Sequence, residues 1–479
     1  VGRYLTGWAS CIVILACLAV PGGSLAAAAG AGHALELEPA GPAIDLNLEQ
    51  AINRALKANR TLLDAGDRVA FGELSLQRAK SQFELKIFPA VQAGLSGGGD
   101  DQSDLISVGL AFEKKFSYGS LVRVEPGVER LDDSLSLGVR ASLTQPLLRG
   151  LNQEYNLAPI HQAEYEDRRY RRNLHLVRIN VVLDTIRRCY EVVRQREMLR
   201  LNSESVARLT GFAEAAKAKE RIGLASPLDT YRAMIQLRSA QDAYEATREA
   251  LGRARDNLSI LLAYPLDRPV EVQAPLSYDL IPLDLDEQID IALKNRSELG
   301  QAQDDILDAQ RRSRIDRHRT LPDIKLSLTF NNFGPLDGST RDSFLEQSRW
   351  GIGLFSETDL RRTSEKAEYQ QSLLNLKITR RARTTLEDEI FRQVKSAALN
   401  LRRSEKAIDL QRAQIEEAKA GLALARAKFK WGRGSNFDLI QAESDLRRAE
   451  LSLVSAVIDY IVGGYSLRAA MGTLIDQPG

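Results

Sequence analysis

The stretch Ile222-Gly223-Leu224-Ala225-Ser226-Pro227-Leu228-Asp229 recurs 209 residues later as Trp431-Gly432-Arg433-Gly434-Ser435-Asn436-Phe437-Asp438. The match runs on downstream, where Ala233, Leu237, Arg238 and Ala240 stand opposite Ala442, Leu446, Arg447 and Ala449. Behind each glycine turn lies a row of residues seven apart. It is Leu237, Tyr244, Leu251 and Leu258 in one copy, and Leu446, Leu453, Tyr460 and Leu467 in the other. A heptad seam marks helices packed side by side, and a seam that occurs twice predicts two similar helical hairpins.

The arms that lead into these turns are unusually long. From Ala158 to about Arg221 only Gly211 interrupts a helical pattern, a span of about 95 Å at 1.5 Å per residue. From Thr363 to about Lys430 there is no proline, and the only glycine is Gly421. Within that arm Val394, Leu401, Ile408, Ile415, Leu422 and Phe429 lie seven apart. Beside them runs a smaller row, Ala397, Ser404, Gln411, Ala418 and Ala425, which suits close helix contact. The first half repeats the bulky register at Val192, Leu199 and Val206. Helices this long do not wrap a compact core; they predict a long bundle or tube.

The duplication extends upstream. Leu48, Ile52, Ala55 and Leu56 form one helical face between Leu46 and Asn59, echoed by Leu285, Ile289, Ala292 and Leu293. The repeats therefore span about 46–265 and 284–474, with hairpins at about 158–263 and 363–471 and tips at 222–227 and 431–436. Between them, Pro265, Pro269, Pro275 and Pro282 predict an extended connector over 266–283.

Each repeat also carries strands, at about 90–145 and 322–356. Ile324, Leu326, Leu328 and Phe330 alternate with Lys325, Ser327 and Thr329, and Trp350, Ile352 and Leu354 alternate with Gly351 and Gly353. In the first half the same period of two runs through Ile106, Val108, Leu110 and Phe112, and through Leu135, Leu137, Val139, Ala141 and Leu143. One apolar face predicts half-buried strands, but a membrane wall and an ordinary sheet on a core share that pattern. Four strand-like runs, about Val91–Ser96, Leu105–Phe116, Leu121–Glu129 and Ser134–Leu143, fit two long strands interrupted by bulges or an extra hairpin. The two-strand reading is preferred.

The N-terminus reads as an export signal over 1–26: Arg3, an apolar stretch from Ile12 to Val20, and a small-residue cleavage site at Ser24-Leu25-Ala26. Ile14-Leu15-Ala16-Cys17 only weakly imitates a lipoprotein signal, since Leu18-Ala19-Val20 prolong the apolar stretch. A flexible Ala/Gly leader follows over 27–45. Removal of the signal takes Cys11 and Cys17 with it and leaves Cys189 alone, excluding an internal disulfide. Among Ile186, Tyr190 and Val193, Cys189 reads as a small buried residue rather than a reactive thiol. No further run of about 18 apolar residues is found, so no transmembrane helix is expected.

The chemistry points away from catalysis. Lys+Arg 65 against Asp+Glu 64 leaves a net charge of +1, which gives nucleic-acid phosphates no basic face. His33, His161, His175 and His318 lack metal-ligand spacing, and no phosphate loop or nucleophile elbow occurs. Gly97-Gly98-Gly99-Asp100-Asp101 lacks the spaced ligands of a calcium loop and reads as a strand connection. The basic runs Arg168 to Arg172 and Arg311 to Arg319 read as solvated helix faces. Neither enzyme nor cofactor is expected. Asp229 and Asp438 occupy the first turn of the returning helices, a place the helix dipole alone favours for acids.

Signal, short helix, strand pair and long hairpin, all repeated, resemble the outer membrane efflux protein (TolC-like) family over about residues 46 to 474. Ser142-Leu143-Thr144-Gln145-Pro146-Leu147-Leu148-Arg149-Gly150 is similar to that family's second-strand ending. The resemblance implies a mainly α fold with a β-barrel contribution and a homotrimeric α/β channel-tunnel. It places the barrel in the cell outer membrane, against lipid, and the helical tunnel in the periplasm. It also implies a passive exit duct serving an inner-membrane pump and a periplasmic adaptor (membrane fusion) protein, for efflux or type I secretion. In that family the hairpin tips meet the adaptor. Ile222, Gly223, Leu224 and Ala225 approximate its tip motif, whereas Trp431, Gly432, Arg433 and Gly434 keep only the first glycine. Two acids one helical turn apart narrow the entrance in some members. Asp438 matches the first and Gln441 the second, while Asp229 matches an acidic position on the first hairpin. A single ring of three carboxylates, and a weaker cation filter, is therefore expected. The alternative from another class is a periplasmic coiled-coil adaptor or scaffold without a pore.

Overall fold

The computed structural model describes residues 44–98, 101–131, 134–223, 226–335, 348–431 and 433–475. The expected signal, Cys11, Cys17, His33 and the leader as far as residue 43 lie outside them, as do Gly99, Asp100, Leu224, Ala225 and Gly432. The order begins with β1 (Ile44–Asn47), α1 (Leu48–Ala58) and α2 (Arg60–Ser81). Four strands follow: β2 (Lys86–Gly98), β3 (Asp101–Lys115), β4 (Leu121–Leu131) and β5 (Ser134–Pro146). Then come α3 (Gln153–Asn156), α4 (Ala158–Arg221), α5 (Pro227–Leu261) and β6 (Val270–Gln273). The second half has α6 (Leu285–Asn295), α7 (Ser297–Arg319), β7 (Ile324–Pro335), β8 (Arg349–Ser356), α8 (Thr363–Lys430) and α9 (Asn436–Ala470).

The helices of the two halves match in order and length, the short α3 apart. Helices of 11 and 22 residues open the first, and helices of 11 and 23 open the second. The hairpin arms are 64 and 35 residues in one, 68 and 35 in the other. Local chemistry starts each unit. Asn47 and Gln50 exchange a reciprocal capping box at α1, and Asp284 accepts from the amides of Asp286 and Glu287 at α6. Ile44 and Asp45, expected in the flexible leader, already belong to β1, which pairs in parallel with β6. The proline-rich connector thus contains a short strand, and Tyr190 and Tyr460 tether it. The Tyr190 hydroxyl donates to the Pro275 carbonyl, and the Tyr460 hydroxyl accepts from the Ile281 amide at 3.0 Å.

The heptad seams are the helix cores. Leu237, Leu251, Leu258, Leu446, Tyr460 and Leu467 are buried, as are Val394, Leu401, Ile408, Ile415 and Leu422. α9 packs on both α8 and α4. By length and composition alone α9 is apolar enough to cross a bilayer. It instead buries Ile458, Tyr460 and Leu467 within the protein. The basic runs are less solvated than expected, because they hold helices together. Arg168 and Arg172 both bond Asp304 on α7, and Arg171 reaches Glu73 on α2.

The sheet corrects the preferred sequence reading. β2-β3-β4-β5-β7-β8 form one six-stranded sheet in which every neighbouring pair is antiparallel. The first half contributes four strands, not one interrupted pair. Period-two alternation looks alike across a bulge and across a tight reversal, so alternation by itself could not separate them. The reversal that decides it is at Phe116–Ser120, where the Gly119 amide donates to the Phe116 carbonyl and Gly119 takes φ +88°.

Candidate functional site

The sheet has two faces of opposite chemistry. Cross-strand partners share a face, so the register assigns every side chain. One face carries Ile87 and Val91 of β2, Ile106 to Phe112 in alternation on β3, and Val122, Val124 and Val128 of β4. It continues with Leu135, Leu137 and Leu143 of β5, Leu326, Leu328 and Phe330 of β7, and Trp350, Ile352 and Leu354 of β8. Nothing covers it among the described residues: Val91 is 70% exposed, Trp350 75% and Ile352 64%. So large an uncovered apolar area belongs against lipid or a partner, not water. The opposite face is polar. Arg123 bonds Glu125 and lies 3.7 Å from Glu113, while Arg140 reaches Glu129 at 3.4 Å and Glu125 at 3.7 Å. The Arg123 and Arg140 guanidinium groups stack over Phe88 and Phe333 on that same face.

Where sheet meets helices, the stretch 142–150 forms a tight joint. The amides of Leu147 and Arg149 donate to the carbonyls of Ile324 and Pro322, continuing the β5–β7 pairing past Pro146. The Gly150 amide donates to His318 Nε2 at 3.2 Å, and Asn156 Nδ2 donates to the Gly150 carbonyl at 2.6 Å. A ring nitrogen that accepts must be unprotonated. Burial, and then Arg149 nearby, hold His318 below the ordinary imidazole range. The neutral form is thus favoured on folding, so this stability is full above the ordinary histidine range and is lost as pH falls through the folded pKa. We expect the melting temperature to drop between pH 7.5 and 5, and to drop less in His318→Gln, whose amide oxygen can still accept. Equal pH dependence in both proteins would refute the role of His318.

The hairpin tips come next. At the first, α4 ends at Ile222 and reverses through Gly223, which takes φ +75° with open space around it. Ser226 caps α5: its Oγ accepts from the Asp229 amide at 3.3 Å and donates to Asp229 Oδ2 at 3.1 Å. At the second, the amides of Arg433 and Gly434 both donate to the Lys428 carbonyl. Gly434 is needed for a different reason than Gly223, since a Cβ there would stand 2.8 Å from Lys428 Cβ. Ser435 and Asp438 then form a full capping box, with Asp438 Oδ2 accepting from the Ser435 amide at 3.2 Å. Both acids thus bond the cap of their own helix, Asp229 through the Ser226 hydroxyl and Asp438 through the Ser435 amide. The two tips touch: Asn436 Nδ2 donates to the Asp229 carbonyl at 3.0 Å, and Lys219 Nζ donates to the Phe429 carbonyl at 2.7 Å.

Asp438 and Gln441 share one face of α9 and line a groove of about 750 Å³ against α8. Asp229 is not part of it. Sequence reasoning missed a third member, Asp445, whose Oδ1 accepts from Gln441 Nε2 at 3.0 Å in the same groove. Its spacing, seven from Asp438 and four from Gln441, was the available signal. Also missed was an exposed apolar row on α5, formed by Leu228, Tyr231 and Ile235 at helical spacing beside exposed Ile222. Trp431 and Phe437 are exposed in the same way at the second tip.

Residues 288–473 match the family model described as outer membrane efflux protein. Along 438 residues the chain is 21% identical to the probable efflux pump outer membrane protein TtgC of Pseudomonas putida, covering 89% of this chain and 83% of that protein. The fold matches the outer membrane protein VceC of Vibrio cholerae with a TM-score of 0.68 at 13% identity, covering 89% and 96% of the two chains. It matches the open state of the MtrE channel of Neisseria gonorrhoeae with a TM-score of 0.66 at 17% identity, covering 89% of each. The second half of the chain thus carries the outer membrane efflux protein pattern, and the fold along most of its length is that of these outer-membrane proteins.

The likeness to these solved structures extends to the long helical hairpins and the strands of both halves. A pore-free periplasmic scaffold does not account for an uncovered apolar sheet. The histidines among the described residues are dispersed. His161 pairs with Glu164 on its own helix, His175 is buried, and His318 sits in the joint. Cys189 is fully buried and burial pushes its thiol up to about 12, so it is inert. One buried ionic cluster joins the two hairpins. Arg208 Nε on α4 donates to Glu443 Oε1 on α9 at 2.5 Å, with Glu443 only 1% exposed. Arg426 of α8 stands 4.0 Å from the same carboxylate, and Glu450 stands 3.9 Å from Arg208. Burial raises the Glu450 carboxyl above its ordinary range.

Proposed function

We propose that three copies pool their sheets into one outer-membrane barrel, continued by a periplasmic tunnel of their helices, as the passive exit duct of a tripartite efflux pump. The observation that carries this is the six-stranded sheet with one lipid-type face, one charged face and two edges unpaired among the described residues. Open edges in lipid leave backbone groups unbonded, so such a sheet must close with further copies. The relative TtgC bears the name of an efflux pump outer membrane protein, in keeping with this reading. The tips are the proposed contact for a periplasmic adaptor: Ile222, Gly223, Leu224 and Ala225 on one hairpin, Trp431, Gly432, Arg433 and Gly434 on the other. The exposed Leu228, Tyr231 and Ile235 extend that apolar surface up the first hairpin. An adaptor that docks here does so by apolar packing.

Asp438 is proposed to ring the entrance, with Gln441 above it and Asp445 beyond, while Asp229 faces the neighbouring tip. Part of the Asp438 carboxylate is already engaged with the Ser435 amide, which leaves a weaker field for passing cations. The test is single-channel recording in planar bilayers together with detergent gels. A heat-modifiable, detergent-resistant trimer that conducts is expected, with Asp438→Asn reducing cation block. A soluble monomer defeats the duct. Unchanged conductance and cation block in Asp438→Asn defeat the gate alone.

A further inference from the structure

We infer that all six strands of each copy enter the common barrel wall, so that the wall holds six strands per chain and eighteen in a trimer. The family resemblance implies one strand pair per repeat, hence four per chain and twelve in three copies. This inference rests on the three-copy reading for the total, but not for the six strands of each copy.

The extra hairpin has the properties of wall rather than of a plug or an outer flap. β3 and β4 are ladder-paired to β2 and β5 along nearly their whole lengths. They carry the same two faces as the other strands, with Val108, Phe112 and Val124 on the apolar side and Glu113, Arg123 and Glu125 on the polar side. A hairpin lying in the lumen or in water has no use for an apolar row continuous with its neighbours. Its inner turn is also built into the joint. A Cβ on Gly119 would stand 2.5 Å from the Gly150 carbonyl oxygen and 2.9 Å from Asn156 Nδ2. Next to it, Ser120 Oγ bonds Gln145, and Lys114 Nζ donates to the Phe83 carbonyl at 2.7 Å.

Edges and stagger fit closure. β2 and β8 are the free edges among the described residues, and with six alternating strands they run in opposite directions. One copy's β8 therefore meets the next copy's β2 as an antiparallel pair. Following the register across the sheet, Lys86 aligns with Gly351, five residues in from the end of β8 at Ser356. Five residues are about 17 Å along a strand, and five interstrand steps are about 24 Å, a slope of about 35°. Transmembrane barrels tilt their strands by about 35–45°. Six strands are fewer than the smallest such barrels use, about eight, so one copy does not close alone. With strands about 4.8 Å apart and tilted about 40°, eighteen make a wall about 36 Å across, against about 24 Å for twelve.

The test is electron cryomicroscopy of the intact assembly in lipid nanodiscs, which reads copy number and strand number separately. Three copies and eighteen strands are expected. Three copies with twelve strands in the wall, and β3–β4 outside it, overturn the inference while leaving the duct reading intact. Two copies with twelve strands support six strands per chain and overturn the trimer. A second readout does not depend on imaging. Ile87→Cys on β2 combined with Leu354→Cys on β8, treated with a short bismaleimide, is expected to give a covalent ladder up to three chains. The buried Cys189 is silent in this experiment. Capture only within single chains overturns the pairing of β8 with a neighbouring β2.

Discussion

Val108→Arg is expected to remove the assembled protein from the outer membrane, whereas Ser107→Arg, one residue away, leaves it in place. The two residues are adjacent on β3 and point to opposite faces. Val108 lies between Val91 and Val128 on the apolar face and is 54% exposed. Its partner Val91 is five residues from the inner end of β2, about 17 Å along the strand. At a tilt of about 40° that is about 13 Å of height, near the middle of an apolar band about 25 Å tall. An arginine there costs about 2–4 kcal/mol per copy, and in the proposed assembly three copies share one barrel. Ser107 pairs with Gln92 and Glu129 on the charged face, where an added arginine meets a carboxylate. The measurement is the heat-modifiable band in outer-membrane fractions. Wild-type amounts of assembled Val108→Arg would refute the lipid-facing assignment.

The second large effect lies where the two hairpins meet. Glu443→Leu removes the acceptor of Arg208 Nε, while Nη2 is already buried without a hydrogen bond. Breaking a buried pair from one side typically costs about 3–5 kcal/mol, because the remaining charge loses its compensation. Glu204 at 3.6 Å and Glu450 at 3.9 Å remain near Arg208, so the lower end of that range is expected. Arg208→Met combined with Glu443→Leu should recover most of the loss, since apolar groups of similar size replace a buried pair at little cost. Thermal unfolding of the detergent-solubilised protein reads both variants. A melting temperature for Glu443→Leu equal to wild type, or a double variant no better than the single, would show that the cluster does not hold the hairpins together.

The cluster also shows why part of the site escaped the sequence. Arg208 and Glu443 are 235 positions apart, and nothing local marks either as more than a charge on a helix. Asp445 was within reach, because its spacing from Gln441 is a helical one. The row Leu228, Tyr231 and Ile235 was within reach too, yet periodicity reports a face without saying what covers it. The extra hairpin had a signal in Tyr118-Gly119, but a glycine in an alternating run fits a bulge as well as a reversal.

The sequence by itself determined the duplication, the lengths of the long helices, their seams and their capped turns. These are set by residues within a few positions of one another: apolar spacing, absent prolines, a serine before an acid. Only the tertiary structure decided that the first half supplies four strands, which sheet face is left bare, and that the two hairpins are tied by a buried charge pair. Those depend on which strand lies beside which and on what, if anything, covers each face. Alternation along a strand is identical whether its apolar side meets a core or lipid, and only the placement of the whole chain tells them apart.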